Sequence, residues 1–221
     1  MGAGTTDATN VIANLDVRRG LPPGQKVART WKVSHYGPVP RRTDPASWDI
    51  HVFGATASGR EHVLDFDDLD ALPRISVRAD MHCVSGYTTL DLHWSGIPAW
   101  ALTELVPPRD DVRYVMAYAQ FGYSANLRLS DFLAEGTLLA THVDGMPLPP
   151  EHGGPLRLVV PHLYAWKGPK WLRAIEYLTH DRRGFWEERG YHNIGDPWSG
   201  RRYSYQEETG EGPPLFDEPG V

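Results

Sequence analysis

Glycine and proline punctuate this chain so densely that no long uninterrupted element is open to it. The 221 residues include 22 glycines and 19 prolines. Glycine admits left-handed backbone, and proline fixes φ and removes a donor, so each marks a turn or the end of an element. Between them lie short apolar runs, with 8 tryptophans to anchor a core. A helical bundle is disfavoured, and a turn-rich, β-rich α+β domain is expected. A hydrophobic fraction of 41% with 23% charged residues belongs to an ordinary globular protein.

Charge and cysteine usage narrow the function classes. Twenty-two basic against 28 acidic side chains give a net charge of −6, which offers no footprint for nucleic acid. One cysteine, Cys83, makes no internal disulfide, so the fold does not depend on an oxidising compartment. No apolar run approaches the roughly 20 residues that span a bilayer, so no transmembrane segment is expected. Arg18-Arg19 looks like a twin-arginine pair, but Gly20-Leu21-Pro22-Pro23-Gly24 follows in place of an apolar stretch, and a cytoplasmic location is expected.

Residues 1–30 are polar, are broken by Pro22-Pro23-Gly24, and read as an amino-terminal extension. Residues 199–221 form a similar tail that Tyr203, Tyr205 and Phe216 could pin to the surface. A single domain over residues 31–198 is expected, without internal repeats. Alternation around Trp48, Ile50 and Val52, and around Ile75, Val77 and Ala79, predicts strands. Strands are also predicted over 114–119, 123–129, 138–143 and 155–161, with a turn at Asp144-Gly145. Helices are predicted over 66–72, over 98–106 with Pro98 near N1, and over 130–135 with Ser130 as N-cap. Residues 171–180 suit either type, and their β-propensity favours a strand.

Four clusters could carry chemistry. Cys83, with His82 beside it, stands where an alternating strand meets Val84-Ser85-Gly86-Tyr87; it is either a thiolate aimed into a cleft or an inert buried thiol. Zinc is a poor fit, because no second cysteine or close ligand spacing accompanies it. In His152-Gly153-Gly154-Pro155-Leu156-Arg157, two glycines allow close approach to a ligand, and an arginine inside an apolar strand needs a partner. That partner is an anionic ligand or a structural carboxylate. Trp166-Lys167-Gly168-Pro169-Lys170-Trp171 is either a cationic loop for a phosphate and a flat ring or a solvated turn with two aromatic anchors. Ser34-His35-Tyr36-Gly37-Pro38 offers donors and acceptors on a rigid loop, or is an incidental surface segment.

In this order and spacing the four clusters resemble the sulfite oxidase family of molybdopterin-dependent oxidoreductases, and within it the short stand-alone bacterial members. The likeness runs from Trp31 to Trp198 and includes Asp44-Pro45, Trp48 and Val52-Phe53-Gly54 near its start. It ends in Gly184-Phe185-Trp186-Glu187, Gly190-Tyr191-His192-Asn193 and Gly195-Asp196-Pro197-Trp198. The resemblance implies a sulfite oxidase-type molybdopterin-binding fold and a molybdenum-molybdopterin cofactor, with Cys83 as the metal ligand. It implies that His152, Arg157 and Lys170 hold the pterin and its phosphate and that Gly168 and Pro169 shape the lysine loop. His35 and Tyr36 would contact the cofactor from the amino-terminal side, and Tyr123 would be the active-site tyrosine. The implied reaction is two-electron oxygen-atom transfer to or from a small sulfur- or nitrogen-containing substrate. One thiolate added to two dithiolene sulfurs makes a soft-ligand site, so a single cysteine is enough.

The departures bear on the substrate. Ser34 stands where the family's oxidases carry a sulfite-binding arginine, and Val84-Ser85-Gly86-Tyr87 replaces their Gly-Asn-Arg run. A less anionic substrate pocket is therefore expected. No haem module is recognised, which implies a separate redox partner protein of cytochrome, flavoprotein or ferredoxin type. Two other classes share these residues: a cofactor-free ligand-binding or interaction module that keeps the fold, and an enzyme with Cys83 as nucleophile and His82 or another histidine as base.

Overall fold

A computed structural model describes residues 10–12 and 20–215. Arg18, Arg19 and Phe216 lie outside the described residues. The chain forms, in order, β1 (Asn10–Ile12), β2 (Lys26–Val27), β3 (Asp49–Gly54), β4 (His62–Asp65), α1 (Phe66–Asp70), β5 (Ile75–Cys83) and β6 (Tyr87–Pro98). There follow α2 (Ala99–Leu105), β7 (Tyr114–Ala119), β8 (Ser124–Arg128), α3 (Leu129–Phe132), β9 (Leu138–Val143), β10 (Met146–Pro147), β11 (Arg157–Val159) and β12 (Leu172–Leu178).

Two sheets carry these strands. One has the order β1-β5-β6-β9-β10, with β11 also on β9 and β2 on β6; the other runs β4-β3-β12-β7-β8. The second is mixed, because β12 lies parallel to β3 and antiparallel to β7. In β3 the alternation works as expected: Ile50 and Val52 are fully buried while Asp49, His51 and Phe53 face outward. Ile50, Val115, Ile175 and Tyr177 of one sheet meet Ile97, Leu139 and Leu158 of the other in the main core, so burial of apolar area holds the sheets together. A second cluster, with Ile75, Val77, Trp94, Leu138 and Val159, belongs to the β5-β6-β9-β11 sheet.

The helices are short. Asp65 caps α1 and shares a capping box with Asp68. Pro98 is the N-cap of α2 rather than its first helical residue. The third helix begins at Leu129, so Ser130 lies inside it and not at its cap; Arg128 is the N-cap and makes no side-chain cap bond. The longest strand, β6, escapes the alternation rule. Its inward residues Thr88, Leu92 and Trp94 keep one phase, but Leu90 between them is exposed, next to Asp91, which has φ of 64° and donates its N–H to Asp80 Oδ1 at 2.8 Å.

Residues 199–215 lie against the body. Arg183 pairs with Glu207 at 2.6 Å and Arg201 with Glu211 at 2.6 Å, and the Asn193 N–H donates to Glu207 at 2.7 Å. Among the described residues, no helix is long and apolar enough to cross a membrane.

Candidate active-site cavity

The position of the thiol follows from a break in strand register. Down β5, Ile75, Val77 and Ala79 point inward, and a bulge between Ala79 and Met81 then shifts the pairing with β6. After the bulge His82 takes the inward position, while Met81 and Cys83 turn to the opposite face. Their cross-strand partners Thr89 and Tyr87 share that face, and all four side chains line one cavity of about 520 Å³. Gly86, with φ of 89°, closes the intervening turn by donating its N–H to Cys83 O at 3.0 Å. The Ser85 hydroxyl donates to Cys83 Sγ at 3.0 Å. His82, expected as a companion of the thiol, is not one: its Nδ1 meets Thr88 Oγ1 at 2.9 Å, and burial lowers its pKa.

The facing wall is cationic. Arg157 opens β11 and is 3% exposed. Its guanidinium donates to the carbonyls of His152 at 2.9 Å and Gly168 at 3.3 Å, Nε is enclosed without a partner, and no carboxylate pairs with it among the described residues. Burial lowers its pKa to about 10. A buried guanidinium on a cavity wall without a counter-charge is poorly compensated unless an anion arrives. Lys170 stands beside it and donates to Glu151 O at 2.8 Å; burial, and then the Arg157 charge, lower its pKa to about 7. Glycine lets this loop approach β11, since a Cβ at Gly168 would lie 2.5 Å from Leu158 O. Trp171, at φ of 56°, holds a strained left-handed backbone and lines the cavity beside Lys170.

A strap formed by residues 29–43 crosses the mouth. Among the described residues it makes no backbone hydrogen bond to the sheets, and it is pinned by rings: Trp31 on His152 and Trp94, His35 on Trp171, and Tyr36 on Phe185. Lys32 sits over the Tyr87 ring at 3.5 Å, so the cavity has a cation that neither departure from the family pattern foretold. The floor rests on a buried pair, Lys167 and Glu187, 2.6 Å apart and 1% and 0% exposed. Glu187 also accepts from Trp166 Nε1 at 2.8 Å, and Tyr123 donates its hydroxyl to Trp166 O at 2.5 Å. Burial and the Glu187 charge raise the Tyr123 pKa well above the ordinary phenol value, so the hydroxyl keeps its proton.

Of the residues singled out in the sequence, Cys83, Tyr123, His35, Tyr36, Arg157, Gly168 and Lys170 line this one cavity. His152 and Pro169 stand behind the wall: Trp31 covers the His152 ring, and Pro169 O accepts from the Leu158 N–H at 3.0 Å. Trp31, Lys32, Trp186 and Tyr191 also line the cavity; Trp31, Trp186 and Tyr191 fall within the family likeness without a role assigned to them, and Lys32 is not among the residues singled out. Among the described residues there is no group of three or more His, Cys, Asp or Glu side chains that could hold a metal ion unaided. The donor set suits a single soft thiolate plus cationic anchors, which fits a metal delivered on an anionic, sulfur-bearing organic ligand.

Comparison with known proteins agrees with this geometry. Residues 36–186 match the oxidoreductase molybdopterin binding domain. The chain is 43% identical to the uncharacterized oxidoreductase YuiH of Bacillus subtilis over 84% of its own length and 92% of that protein's. It is 30% identical to the putative protein-methionine-sulfoxide reductase subunit YedZ1 of Azospira oryzae over 70% of its length, spanning 58% of that relative. The sulfane dehydrogenase SoxCD from Paracoccus pantotrophus shares the fold at a TM-score of 0.60 and 17% identity, over 75% of this chain and 46% of that one. With its β-rich mixed sheets and this cavity, the chain belongs to the oxidoreductase molybdopterin-binding domain family and is a sulfite oxidase-like molybdopterin-dependent oxidoreductase.

Proposed function

We propose that this oxidoreductase moves an oxygen atom to or from a small sulfur- or nitrogen-containing substrate, with Cys83 as the ligand to molybdenum. The observation that carries the reading is the buried, carboxylate-free Arg157 facing the same cavity as the thiol. When bound, the molybdopterin cofactor supplies a metal that changes by two electrons as the substrate gains or loses an oxygen atom. Cys83 holds the metal as a thiolate. Arg157 and Lys170 offset the charge of the cofactor's phosphate, while Gly168 and Pro169 keep the lysine loop close to β11. His152 presents its backbone carbonyl to Arg157 and so aims the guanidinium. His35 and Tyr36 close over the cofactor from the strap.

Tyr123 remains protonated and, by turning its hydroxyl from Trp166 O to a substrate oxygen, orients that oxygen by hydrogen bonding, acting neither as base nor as nucleophile. Trp166, Trp171 and Trp186 exclude bulk water from the reacting atoms. The sulfoxide substrate in the name of the relative YedZ1 supports sulfur as the atom acted on. A separate one-electron redox protein completes the turnover.

The test is expression with molybdate in a host that makes the pterin, followed by elemental analysis and turnover of sulfoxides, sulfite and N-oxides with artificial one-electron donors and acceptors. One molybdenum per chain with oxygen transfer supports the reading. A metal-free chain, or iodoacetamide alkylation of Cys83 in fully loaded protein, overturns it in favour of the cofactor-free or cysteine-nucleophile alternatives.

A further inference from the structure

A line of aromatic rings leads out of the cavity to solvent. It starts at Tyr191, which lines the cavity and whose pKa is raised by burial, by Tyr203 and by the charge of Cys83. Tyr191 is packed among other cavity-lining rings, stacked on Trp186 at 5.2 Å and tilted on Trp166 at 5.1 Å. Outward from it, Tyr203 follows at a centroid distance of 6.0 Å, and Tyr205 stacks on Tyr203 at 5.7 Å with planes 13° apart.

Packing alone does not account for the outer end. Tyr205 is 81% exposed, so burial of its ring contributes little to the fold, although sequence reading expected it to pin the tail. The segment is nonetheless held firmly. Tyr191 and Tyr203 form an isolated antiparallel bridge, and Gln206 accepts from the backbone N–H groups of both Arg202 and Tyr203. A rigidly presented tyrosine left in solvent is a side chain typical of protein contact surfaces.

We propose that the Tyr191–Tyr203–Tyr205 ladder is the electron path of this enzyme, and that a one-electron redox protein docks over Tyr205. The inference rests on the oxygen-transfer reading of the cavity. At each encounter the partner's redox centre loses one electron and the cavity's bound redox group gains it, or the reverse when substrate is oxidised. Two encounters balance a two-electron turnover, and the accompanying protons exchange with solvent. Contiguous rings matter because electron tunnelling weakens steeply with every unfilled gap.

The test uses the molybdenum-loaded full chain. Cys83 is the sole native cysteine, so Glu208→Cys, at a side chain 82% exposed just beyond Tyr205, takes a thiol-reactive ruthenium photosensitiser at one place when Cys83 is held by metal. A flash with a sacrificial donor injects one electron, and growth of the molybdenum(V) EPR signal gives the rate. Met146→Cys, at the exposed start of β10, carries the same label as reference.

Tyr203→Ala and, separately, Tyr205→Ala are expected to slow transfer from position 208 by an order of magnitude or more and to leave transfer from position 146 unchanged. Tyr203→Phe keeps the ring and is expected to keep the rate. An unaltered rate from position 208 in both alanine variants overturns the ladder, as does an equal loss from both labels. Tyr205→Ala removes only an exposed ring and keeps the test decisive if Tyr203→Ala fails to fold. A sensitiser that also attaches to Cys83, or protein without molybdenum, overturns the reading of the cavity itself and the ladder with it.

Discussion

Trp31 lies flat on the imidazole of His152, with ring centroids 3.5 Å apart and planes inclined by 11°. Burial, followed by the Lys170 and Arg157 charges, lowers the His152 pKa from 6.5 to about 4. The folded protein therefore binds this proton less readily than the unfolded chain. The contribution of neutral His152 to stability is complete above the unfolded pKa of 6.5 and is lost as pH falls toward about 4. Trp31→Ala opens the ring to water and is expected to raise the His152 pKa, seen in its proton NMR titration. His152→Gln should flatten that part of the profile of thermal midpoint against pH.

Lys170 titrates near 7 in the cofactor-free cavity, held down by burial and by Arg157. A phosphate is bound by the ammonium and not by the amine, so uptake by the apoprotein should be strongest below pH 7. Above it, affinity falls by up to about tenfold per pH unit until the raised pKa of the bound state is reached. Lys170→Arg, charged at every accessible pH, should give a flat profile between pH 6 and 9 when molybdenum content is measured after equilibration with the isolated cofactor. A wild-type profile that is itself flat removes Lys170 from the anchor.

Much of this molecule is legible in its residues, and the gaps have physical causes. Strand β3 and most of β12 follow their side-chain pattern because one face meets the core, and β7 and β9 read as apolar runs because consecutive residues of each are buried. β5 does not keep its pattern, because the bulge between Ala79 and Met81 moves the inward position from Ala79 to His82, and alternation carries no signal across a phase change. Cys83, Arg157 and Lys170 could be singled out because a lone thiol or a cation in apolar surroundings is unusual for its neighbours. The places of Trp31 and Lys32 could not be read, since the strap has no period and meets rings far away in the chain, Trp94, His152 and Tyr87. Glu187 reads locally as one acidic residue among several. Its burial against Lys167 is a consequence of tertiary packing alone.

Cys83 is half-buried at the end of β5, and the Ser85 hydroxyl donates to its sulfur. Serine preserves its size and polarity, so Cys83→Ser should fold with a thermal midpoint within a few degrees of the cofactor-free wild type. It should nevertheless lose turnover and the sulfur-to-molybdenum absorption band. Arg157→Ala should behave differently, lowering molybdenum occupancy more than it lowers the thermal midpoint, because the guanidinium it removes has no carboxylate to abandon. Sustained turnover in Cys83→Ser would remove the thiolate from the metal.

The Lys167 ammonium donates to Asn126 O and Oδ1 at 2.9 Å, to Asn193 O at 2.5 Å and to Glu187 at 2.6 Å. Removing one partner of such an enclosed pair strands the other charge in the interior. Lys167→Met is therefore expected to destabilise the protein by about 3–5 kcal/mol in urea denaturation. Because Glu187 also holds the Trp166 indole, and the Trp166 carbonyl holds the Tyr123 hydroxyl, the variant should retain molybdenum poorly even where it remains folded. Lys167→Met combined with Glu187→Gln removes both charges and should recover part of the lost stability. If the double variant is no more stable than Lys167→Met alone, the loss comes from the four lysine contacts and not from the stranded carboxylate.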